Sequence, residues 1–368
     1  MGNKKILLLH NIATSYYKNI VFNEFYKIHS NFKVIHLAET EKIRDWKIDI
    51  SDIKYPYNIL AKGRLEDHSK IKMIRKIISL LNKENPDIIY LGGYYHIEYW
   101  IVLFWAKIKH KKIILEMDSN KFDHKRVYFK ELIKKIFVHF VDVGITYGKL
   151  SMEYFEELGL KKNKIIIKPN VTSSKLFHVS KDKITFKKRK NFIYVGRFSE
   201  EKNLLKLLES FRDALIETQT DDWGLLLVGS GNQEDKLNDY IKSNTLNHVE
   251  LVGFVDKYEL SKYYNGATVF ILPSISEPWG LVANEAMACG KPVLISSQCG
   301  CSLDLVCENG YVFDPWNKNE LVRLLISYIH GNENIEKQSL KSKKIIEHFT
   351  PQCAAKQILE AVNKCEEF

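Results

Sequence analysis

Short apolar runs alternate with segments of helical periodicity along almost the entire chain. Residues 88–91 and 192–195 are continuous apolar runs, whereas residues 71–84 and 204–216 repeat apolar side chains at helical spacing. Strands that are buried on both faces contain such continuous runs, and helices between them are typical of βα units around a parallel sheet. The sequence therefore predicts an α/β fold, with helices on both faces of its sheets.

The alternation restarts in the middle of the chain. A polar, lysine-rich tract over residues 173–191 precedes a new apolar run, and 368 residues have room for two domains of roughly 150 residues. We predict a first domain over residues 1–172 and a second over residues 173–350. A final helix over residues 351–368 is predicted to cross back to the first domain. Two doubly wound domains would place a ligand cleft between the carboxyl ends of their sheets.

Each domain has its own series of predicted elements. In the first, strands are predicted at residues 5–9, 32–37, 88–91, 113–116, 143–146 and 164–167, and helices at 20–29, 71–84, 99–108, 129–140 and 150–158. In the second, strands are predicted at 192–195, 224–228, 249–251, 268–272 and 292–296, and helices at 204–216, 233–243, 257–264, 282–289 and 320–329.

The composition argues against a disordered chain. Hydrophobic residues make up 45% and charged residues 27% of the sequence, which suffices for packed cores. No stretch approaches the ~20 apolar residues of a transmembrane helix, and the first residues lack the features of a signal peptide, so a cytoplasmic protein is expected. The six cysteines all lie in the second half without regular paired spacing, which favours free thiols.

The formal net charge of +10 is unevenly distributed. Residues 1–190 carry 38 Lys and Arg against 20 Asp and Glu, or +18, whereas residues 191–368 carry 17 against 25, or −8. A basic half suggests contact with an anionic membrane, an acidic ligand or a nucleic acid, although lysines on solvated faces would give the same count. No nucleic-acid-binding motif accompanies the charge, so no nucleic-acid partner is expected. An anionic membrane surface stays a candidate partner, which would make the protein peripheral at the inner face of the membrane.

The most informative segment is EPWGLVANEAMACGKPV at residues 277–293. It follows a predicted strand and combines a loop containing Pro and Gly with a short Ala-rich helix. Glu277 lies in the loop and Glu285 in the helix, and both carboxylates can accept hydrogen bonds from sugar hydroxyls. The alternative is an N-terminal cap and a solvated helix residue. Backbone N–H groups at the start of the helix form a predicted anion site, and they belong to Gly280, Leu281 and Val282.

A second cluster begins the second domain. A predicted strand leads to Gly196, where glycine allows close backbone approach, and Arg197 and Lys202 follow before the next helix. Two cations at a helix N-terminus would neutralise a diphosphate and stabilise it as a leaving group. Surface pairing with Glu200 and Glu201 is the alternative for these two cations.

These two segments resemble the retaining nucleotide-sugar glycosyltransferases of family four. That family has the GT-B fold, in which two doubly wound Rossmann-like domains face a central cleft. The spacing of Glu277 and Glu285 matches its E-x7-E motif, and the resemblance is specific over residues 190–325 and only topological before residue 164. Further similar segments are G-S-G at 229–231, G-F-V-D at 253–256 and KIIIKPNVTSSKLF from residue 164.

The resemblance implies roles for residues of the second, donor-binding domain. Arg197 and Lys202 would hold the donor diphosphate, Glu277 would contact the transferred sugar, and Glu285 would bind the ribose hydroxyls. Phe254 and Val255 would lie beside the base. The predicted donor site is completed by Gly196, Gly229, Gly280, Leu281 and Val282.

The first domain supplies the acceptor-side candidates. His96 follows a predicted strand, at the place where the family often keeps a histidine near the reacting sugar, and we assign it to the catalytic set; packing among aromatic residues is the alternative. Glu116 and Asp118 end the next strand, and capping of the following loop is their alternative. The family's Gly-Gly loop after the first strand is absent, and Asn11 occupies that loop in the sequence HNIAT.

The resemblance implies a hexosyl- or deoxyhexosyltransferase. It would move the sugar, with retention at the anomeric carbon, from a nucleotide-diphosphate sugar to a hydroxyl of a surface glycan or lipid-linked oligosaccharide. No D-x-D pair for a nucleotide-bound metal is present, so neither a metal nor another cofactor is expected. The G-x-G-x-x-G fingerprint of a dinucleotide dehydrogenase is also absent. The alternatives are a sugar-nucleotide epimerase of the same architecture and a non-catalytic glycan- or nucleotide-binding protein.

Overall fold

The computed structural model describes residues 4–42, 50–122 and 126–367. These residues form two compact units. The first unit comprises the chain up to Val171 together with the segment from Pro351, and the second comprises Thr172–Thr350. A short stretch beginning at Lys121 groups with the second unit.

Within the described residues, the first unit has a seven-stranded parallel sheet. Its strands are β1 (Ile6–Ile12), β2 (Phe32–Ala38), β3 (Tyr57–Ile59), β4 (Ile88–Leu91), β5 (Lys112–Met117), β6 (Val143–Thr146) and β7 (Ile165–Ile167), in the order β3-β2-β1-β4-β5-β6-β7. Its helices are α1 (Tyr16–Ile28), α2 (Lys70–Glu84), α3 (Ile97–Ile108), α4 (Tyr128–His139) and α5 (Gly148–Glu157). The strand order reverses between β1 and β4, as in a doubly wound fold.

The second unit repeats this topology with a six-stranded parallel sheet in the described part of the chain. Its strands are β8 (Lys190–Val195), β9 (Trp223–Val228), β10 (Val249–Gly253), β11 (Val269–Leu272), β12 (Val293–Ser296) and β13 (Gly310–Phe313), in the order β10-β9-β8-β11-β12-β13. Its helices are α6 (Leu204–Thr218), α7 (Glu234–Ser243), α8 (Lys257–Gly266), α9 (Leu281–Ala288), α10 (Ser302–Leu305), α11 (Lys318–Ile329) and α12 (Ile335–Ile346).

The last helix, α13 (Pro351–Lys364), belongs to the first unit. Its buried residues include Ala354, Ile358 and Ala361, which share one helix face and join the same apolar core as Phe22 of α1. Helices α1 and α13 therefore cover one face of the first sheet. The other face is covered by α2 to α5.

The burial of the central strand β1 on both faces explains the continuous apolar run at residues 6–9. Leu7 and Leu9 belong to the core beneath α2 to α5, whereas Ile6 and Leu8 belong to the core beneath α1 and α13. Successive side chains of a strand point to opposite faces, so a strand covered on both faces needs apolar residues at every position.

The predicted fold class is confirmed: both sheets are parallel, with helices between their strands. The prediction missed the edge strands β3 and β13, which are short, as well as α10 and α12. The predicted end of the first strand at residue 9 is wrong, because β1 continues to Ile12 and Asn11 lies within the strand. The polar side chain of Asn11 is tolerated there because both of its polar atoms have hydrogen-bond partners.

Candidate functional site

Two charged side chains, each just after one of two neighbouring strands, meet at the carboxyl edge of the second sheet. Strands β8 and β11 pair where the strand order reverses, which is where sheets of this type bind ligands. Lys202 follows β8, and Glu277 follows β11. The Nζ atom of Lys202 lies 2.6 Å from Oε2 of Glu277. The structure therefore brings together two of the predicted catalytic residues.

Glycines allow the loops after β8 and β9 to approach each other. The N–H of Gly196 donates to the carbonyl of Val228 at 3.0 Å, and Gly229 has a φ of 140°. A Cβ atom on Gly229 would collide with the carbonyl oxygen of Gly196. The local backbone thus requires glycine at this position, independently of any ligand.

Tyr194 supports the loop that carries Arg197. Its hydroxyl donates to the Arg197 carbonyl at 2.8 Å. Burial raises the pKa of Tyr194 well above its usual value, and the nearby Glu277 carboxylate adds to this effect. The hydroxyl consequently stays protonated and serves as a donor.

The loop between β11 and α9 is fixed by hydrogen bonds. The Nε1 atom of Trp279 donates to Oδ1 of Asn284 at 2.8 Å, and the N–H of Gly300 donates to the Glu277 carbonyl at 2.9 Å. Gly280 precedes α9 with a φ of 97°, in the left-handed region that favours glycine. These features set the position of Glu277 relative to the N-terminus of α9.

The N-terminus of α9 presents donors for an anion. The N–H of Ala283 donates to the Gly280 carbonyl at 2.9 Å. The N–H groups of Leu281 and Val282 come earlier in the helix, before any intrahelical acceptor is available. With the helix dipole, they make this end attractive to negative charge.

Glu285 is oriented by a tyrosine of a neighbouring helix. Glu285 is 5% exposed. Its Oε2 atom accepts a hydrogen bond from the hydroxyl of Tyr264, a residue of α8, at 3.0 Å. The same hydroxyl lies 3.3 Å from the Val282 carbonyl. Tyr264 thus links Glu285 to the first turn of α9.

The other predicted donor-site side chains lie at the surface of the same edge. The Arg197 side chain is 68% exposed and 3.6 Å from Glu201, and such an exposed i,i+4 pair is weak. Phe254, exposed, and Val255, half-buried, follow β10. Because the strands are parallel, the loops after β8, β9, β10 and β11 lie at one edge of the sheet, and they carry the predicted donor residues other than Leu281, Val282 and Glu285 of α9.

The corresponding edge of the first sheet holds a buried ionic cluster. Glu116, near the end of β5, is 4% exposed. Its carboxylate accepts a hydrogen bond from Lys168 at 2.9 Å and further hydrogen bonds from Lys18, Tyr90 and Tyr147. We call these five residues the Glu116 cluster.

The Glu116 cluster keeps its carboxyl group ionised. Burial alone would raise the pKa of Glu116, but the ammonium groups of Lys168 and Lys18 outweigh burial and hold this pKa well below its usual range. Burial lowers the pKa of Lys168 to about 8, although Glu116 opposes this shift. The predicted acceptor-side residue Glu116 is thus committed to contacts inside its own unit.

The remaining candidates of the first unit have different environments. Asn11 donates from Nδ2 to the Tyr95 hydroxyl at 2.6 Å and accepts from the Tyr99 hydroxyl. The Nε2 atom of His96 is buried and has no hydrogen-bond partner among the described residues, and burial lowers the pKa of His96. Asp118 is exposed.

The sequence analysis did not identify the side chains that contact Glu285 and Glu116. Tyr264 contacts Glu285 across 21 positions of sequence, and no local motif marks it. Lys168 had a usable signal, because it directly continues the apolar run of β7 and so lies where a buried side chain is expected. Lys18 and Tyr147 precede or begin helices and have no such signal.

The described residues contain no group of three or more His, Cys, Asp or Glu side chains that could hold a metal ion. All six cysteines are free thiols. Within the same ranges, no helix combines the length and apolar character that a bilayer crossing requires.

Comparisons with known proteins concern both units. Residues 178–345 match the family model described as "Glycosyl transferases group 1". An uncharacterized glycosyltransferase of Haemophilus influenzae is 27% identical over 310 residues, which cover 83% of this chain and 82% of the relative. An uncharacterized glycosyltransferase of Methanocaldococcus jannaschii is 29% identical over 143 residues, which is only 38% of either chain.

The fold is shared with solved structures. HepE of Anabaena, in a crystal structure with UDP, matches with a TM-score of 0.75 at 16% identity, covering 98% of this chain and 99% of the other. The fold is therefore GT-B, with two Rossmann-like units. Residues 178–345, which contain all four predicted donor-site charges, are similar to the group 1 glycosyl transferases.

Proposed function

We propose that the protein transfers a sugar from a nucleotide-diphosphate sugar to an acceptor hydroxyl, with retention at the anomeric carbon. The observation that carries the proposal is the pairing of Lys202 with Glu277 where the strand order of the second sheet reverses, beside the N-terminus of α9. The match of residues 178–345 to the glycosyl transferase family model supports glycosyl transfer. Solved structures of HepE with UDP and with UDP-glucose support a nucleotide-sugar donor.

In this proposal, cations and helix dipoles stabilise the leaving diphosphate. Lys202 and the exposed Arg197 neutralise its charge, and the N–H groups of Leu281 and Val282 add hydrogen bonds. These groups take the place of a metal ion, so transfer proceeds in a chelator. The leaving phosphate accepts the acceptor proton, and no separate protein base is required.

The carboxylates and apolar groups select the rest of the donor. Glu277 contacts the transferred hexosyl or deoxyhexosyl group, and Glu285, oriented by Tyr264, accepts hydrogen bonds from the ribose hydroxyls. Phe254 and Val255 contact the base.

The first unit is proposed to bind the acceptor, a surface glycan or lipid-linked oligosaccharide. His96 stays in the catalytic set, because its unpartnered Nε2 atom can exchange a hydrogen bond with a sugar hydroxyl. Asp118 is exposed and can contact the acceptor directly. Asn11 and Glu116 act indirectly, because their polar atoms have partners within the unit.

The test is a donor screen with the full chain in a chelator. UDP-, GDP-, ADP- and dTDP-sugars are compared with NAD and single-stranded DNA, by thermal unfolding and by nuclear magnetic resonance of the products. One nucleotide should raise the melting temperature, and its conjugate should slowly release free sugar that first appears in the donor's anomeric configuration. Release of the opposite anomer would contradict retention. Conversion into an epimeric nucleotide sugar would identify an epimerase instead.

A further inference from the structure

Helices α3 and α4 of the first unit carry large apolar side chains that are exposed. Trp100 of α3 packs against Phe137 of α4 with ring centroids 4.8 Å apart, so the two helices are neighbours. Large apolar side chains on this pair that are between 45% and 75% exposed include Phe104, Ile108, Phe129, Leu132, Ile133 and Ile136. We call them the α3/α4 surface.

The spacing of these side chains makes a stripe on each helix. Phe129, Ile133 and Ile136 recur at helical spacing, as do Phe104 and Ile108. Because Phe137 and Val138 already serve the core, the exposed stripe of α4 is a second apolar face. The exposed apolar residues on helices of the second unit are by contrast dispersed; examples are Ile216 on α6, Tyr258 on α8 and Leu340 on α12. Contiguous apolar patches mark interaction sites, whereas dispersed residues do not.

Basic groups border the α3/α4 surface. Residues 97–112 contain four Lys against one Glu, and residues 126–139 contain three Lys and one Arg against one Glu, so each segment has a balance of +3. These balances already count the two acidic side chains: Glu98 is 2% exposed, and Glu131 is paired with Lys134 at 2.8 Å and with Arg126 at 3.0 Å. Exposed lysines of these segments include Lys109, Lys130 and Lys135.

We propose that the α3/α4 surface docks on an anionic lipid bilayer. The apolar stripes enter the boundary between headgroups and acyl chains, and the lysines contact lipid phosphates. A helix face that joins apolar and basic side chains has the composition of an interfacial membrane helix. The charge favours lipid over an apolar protein partner, and the apolar stripes are not explained by binding of nucleic acid. The inference does not depend on the proposed chemistry.

The test is flotation of the full chain with vesicles. Vesicles of phosphatidylcholine alone are compared with vesicles that also contain phosphatidylglycerol, at low and high salt. The protein should float with the anionic vesicles, and salt should weaken this binding because the lysine contacts are screened. Absence of binding to anionic vesicles at low salt would overturn the proposal.

Two double variants separate the apolar from the electrostatic contribution. Phe129→Ser with Ile133→Ser removes part of the stripe, and Lys130→Glu with Lys135→Glu reverses bordering charge; each should lower vesicle partitioning by about tenfold or more. The matched control is Ile216→Ser with Leu340→Ser in the second unit, where the side chains are 68% and 63% exposed. Its partitioning should equal that of the natural protein. An equal loss in the control would contradict the assignment of the surface.

Folding and self-association are measured on the same samples. All substituted side chains are exposed, so the melting temperatures should stay unchanged. If the Phe129→Ser/Ile133→Ser variant unfolds, vesicle binding by the Lys130→Glu/Lys135→Glu variant tests the proposal instead. Sedimentation tests whether a second copy covers the surface. A dimer that the α4 substitutions convert to a monomer, without any vesicle binding by the natural protein, would overturn the proposal in favour of self-association.

Discussion

The carboxyl edges of the two sheets share a topology but use charge differently. In the first unit, the Glu116 carboxylate is 3% exposed and receives hydrogen bonds from two ammonium groups and two hydroxyls. In the second unit, the side chains of Lys202 and Glu277 are 11% and 16% exposed and lie on the same edge as the exposed Arg197. The Glu116 carboxylate has all its partners within its own unit and stabilises that unit. The Lys202–Glu277 pair lies at the sheet edge, where either side chain can exchange its partner for a ligand. The position at the end of a strand therefore does not by itself make a site.

The largest expected effect comes from opening the closed cluster. Glu116→Gln leaves the buried ammonium group of Lys168 without its counter-charge, and should lower the free energy of unfolding by about 3–5 kcal/mol. Urea denaturation measures this change. The control Asp118→Asn alters an exposed carboxylate just beyond the same strand and should stay within about 0.5 kcal/mol of the natural protein. Equal stability of the two variants would contradict a structural role for Glu116.

Removing either of the two predicted diphosphate-binding cations, Lys202 and Arg197, should instead affect activity more than stability. Lys202→Ala and Arg197→Ala should each lower kcat/KM for the donor by about 100- to 1000-fold, because they remove charge that stabilises the leaving diphosphate. The free energy of unfolding should change by less than about 1 kcal/mol in Arg197→Ala, because this side chain is 68% exposed, and by about 1–3 kcal/mol in Lys202→Ala, which leaves the Glu277 carboxylate without its partner. The control Lys206→Ala, at the surface of α6, should keep full activity. Loss of stability without loss of activity would reverse the comparison.

Acid should distinguish the two units as well. The pKa of Glu116 is depressed in the folded protein, so its contribution to stability is present above the ordinary value of 4.5 and is lost as the pH falls toward the folded pKa. This contribution changes by at most about 1.4 kcal/mol per pH unit. Glu116→Gln should therefore show a shallower fall in unfolding free energy below that pH. Parallel pH profiles would show that the carboxyl group is not held ionised.

The smallest expected effect concerns the tyrosine that orients Glu285. Tyr264→Phe removes one hydrogen bond and should raise the donor KM about fivefold, corresponding to about 1 kcal/mol, with kcat little changed. The control Tyr263→Phe alters the adjacent residue of α8, which does not contact Glu285 in the described structure. Steady-state kinetics of the two variants checks this. A fall in kcat without a change in KM would point to a role for Tyr264 beyond orientation.

The sequence predicted the parts of the fold that follow from burial alone. Strand β4 and residues 192–195 of β8 are buried throughout and contain only apolar or aromatic residues, so the pattern marks them clearly. Strands β3 and β13 lie at sheet edges and are only partly buried, so they lack a continuous apolar run and the pattern does not mark them. The end of β1 was missed because Asn11 looks like a loop residue until Tyr95 and Tyr99 are seen to satisfy its side chain.

The donor edge was easier to predict than the acceptor edge for a physical reason. Glu277, Gly280 and Glu285 fall within one loop and helix, so their spacing alone defines a pattern. The Glu116 cluster instead joins Glu116 to partners up to 98 positions away, and only the folded sheet brings them together. Sequence identified Glu116 as important but could not show that its partners lie inside the unit.

The central claim is that Lys202 holds the donor diphosphate at the carboxyl edge of the second sheet. Calorimetric titration with the nucleoside diphosphate identified by the donor screen, in a chelator, tests it most directly. The natural protein and Lys206→Ala should bind with the same Kd, and Lys202→Ala should bind about 10- to 100-fold more weakly, as expected for loss of a charge-assisted hydrogen bond. Unchanged affinity in Lys202→Ala would contradict the claim.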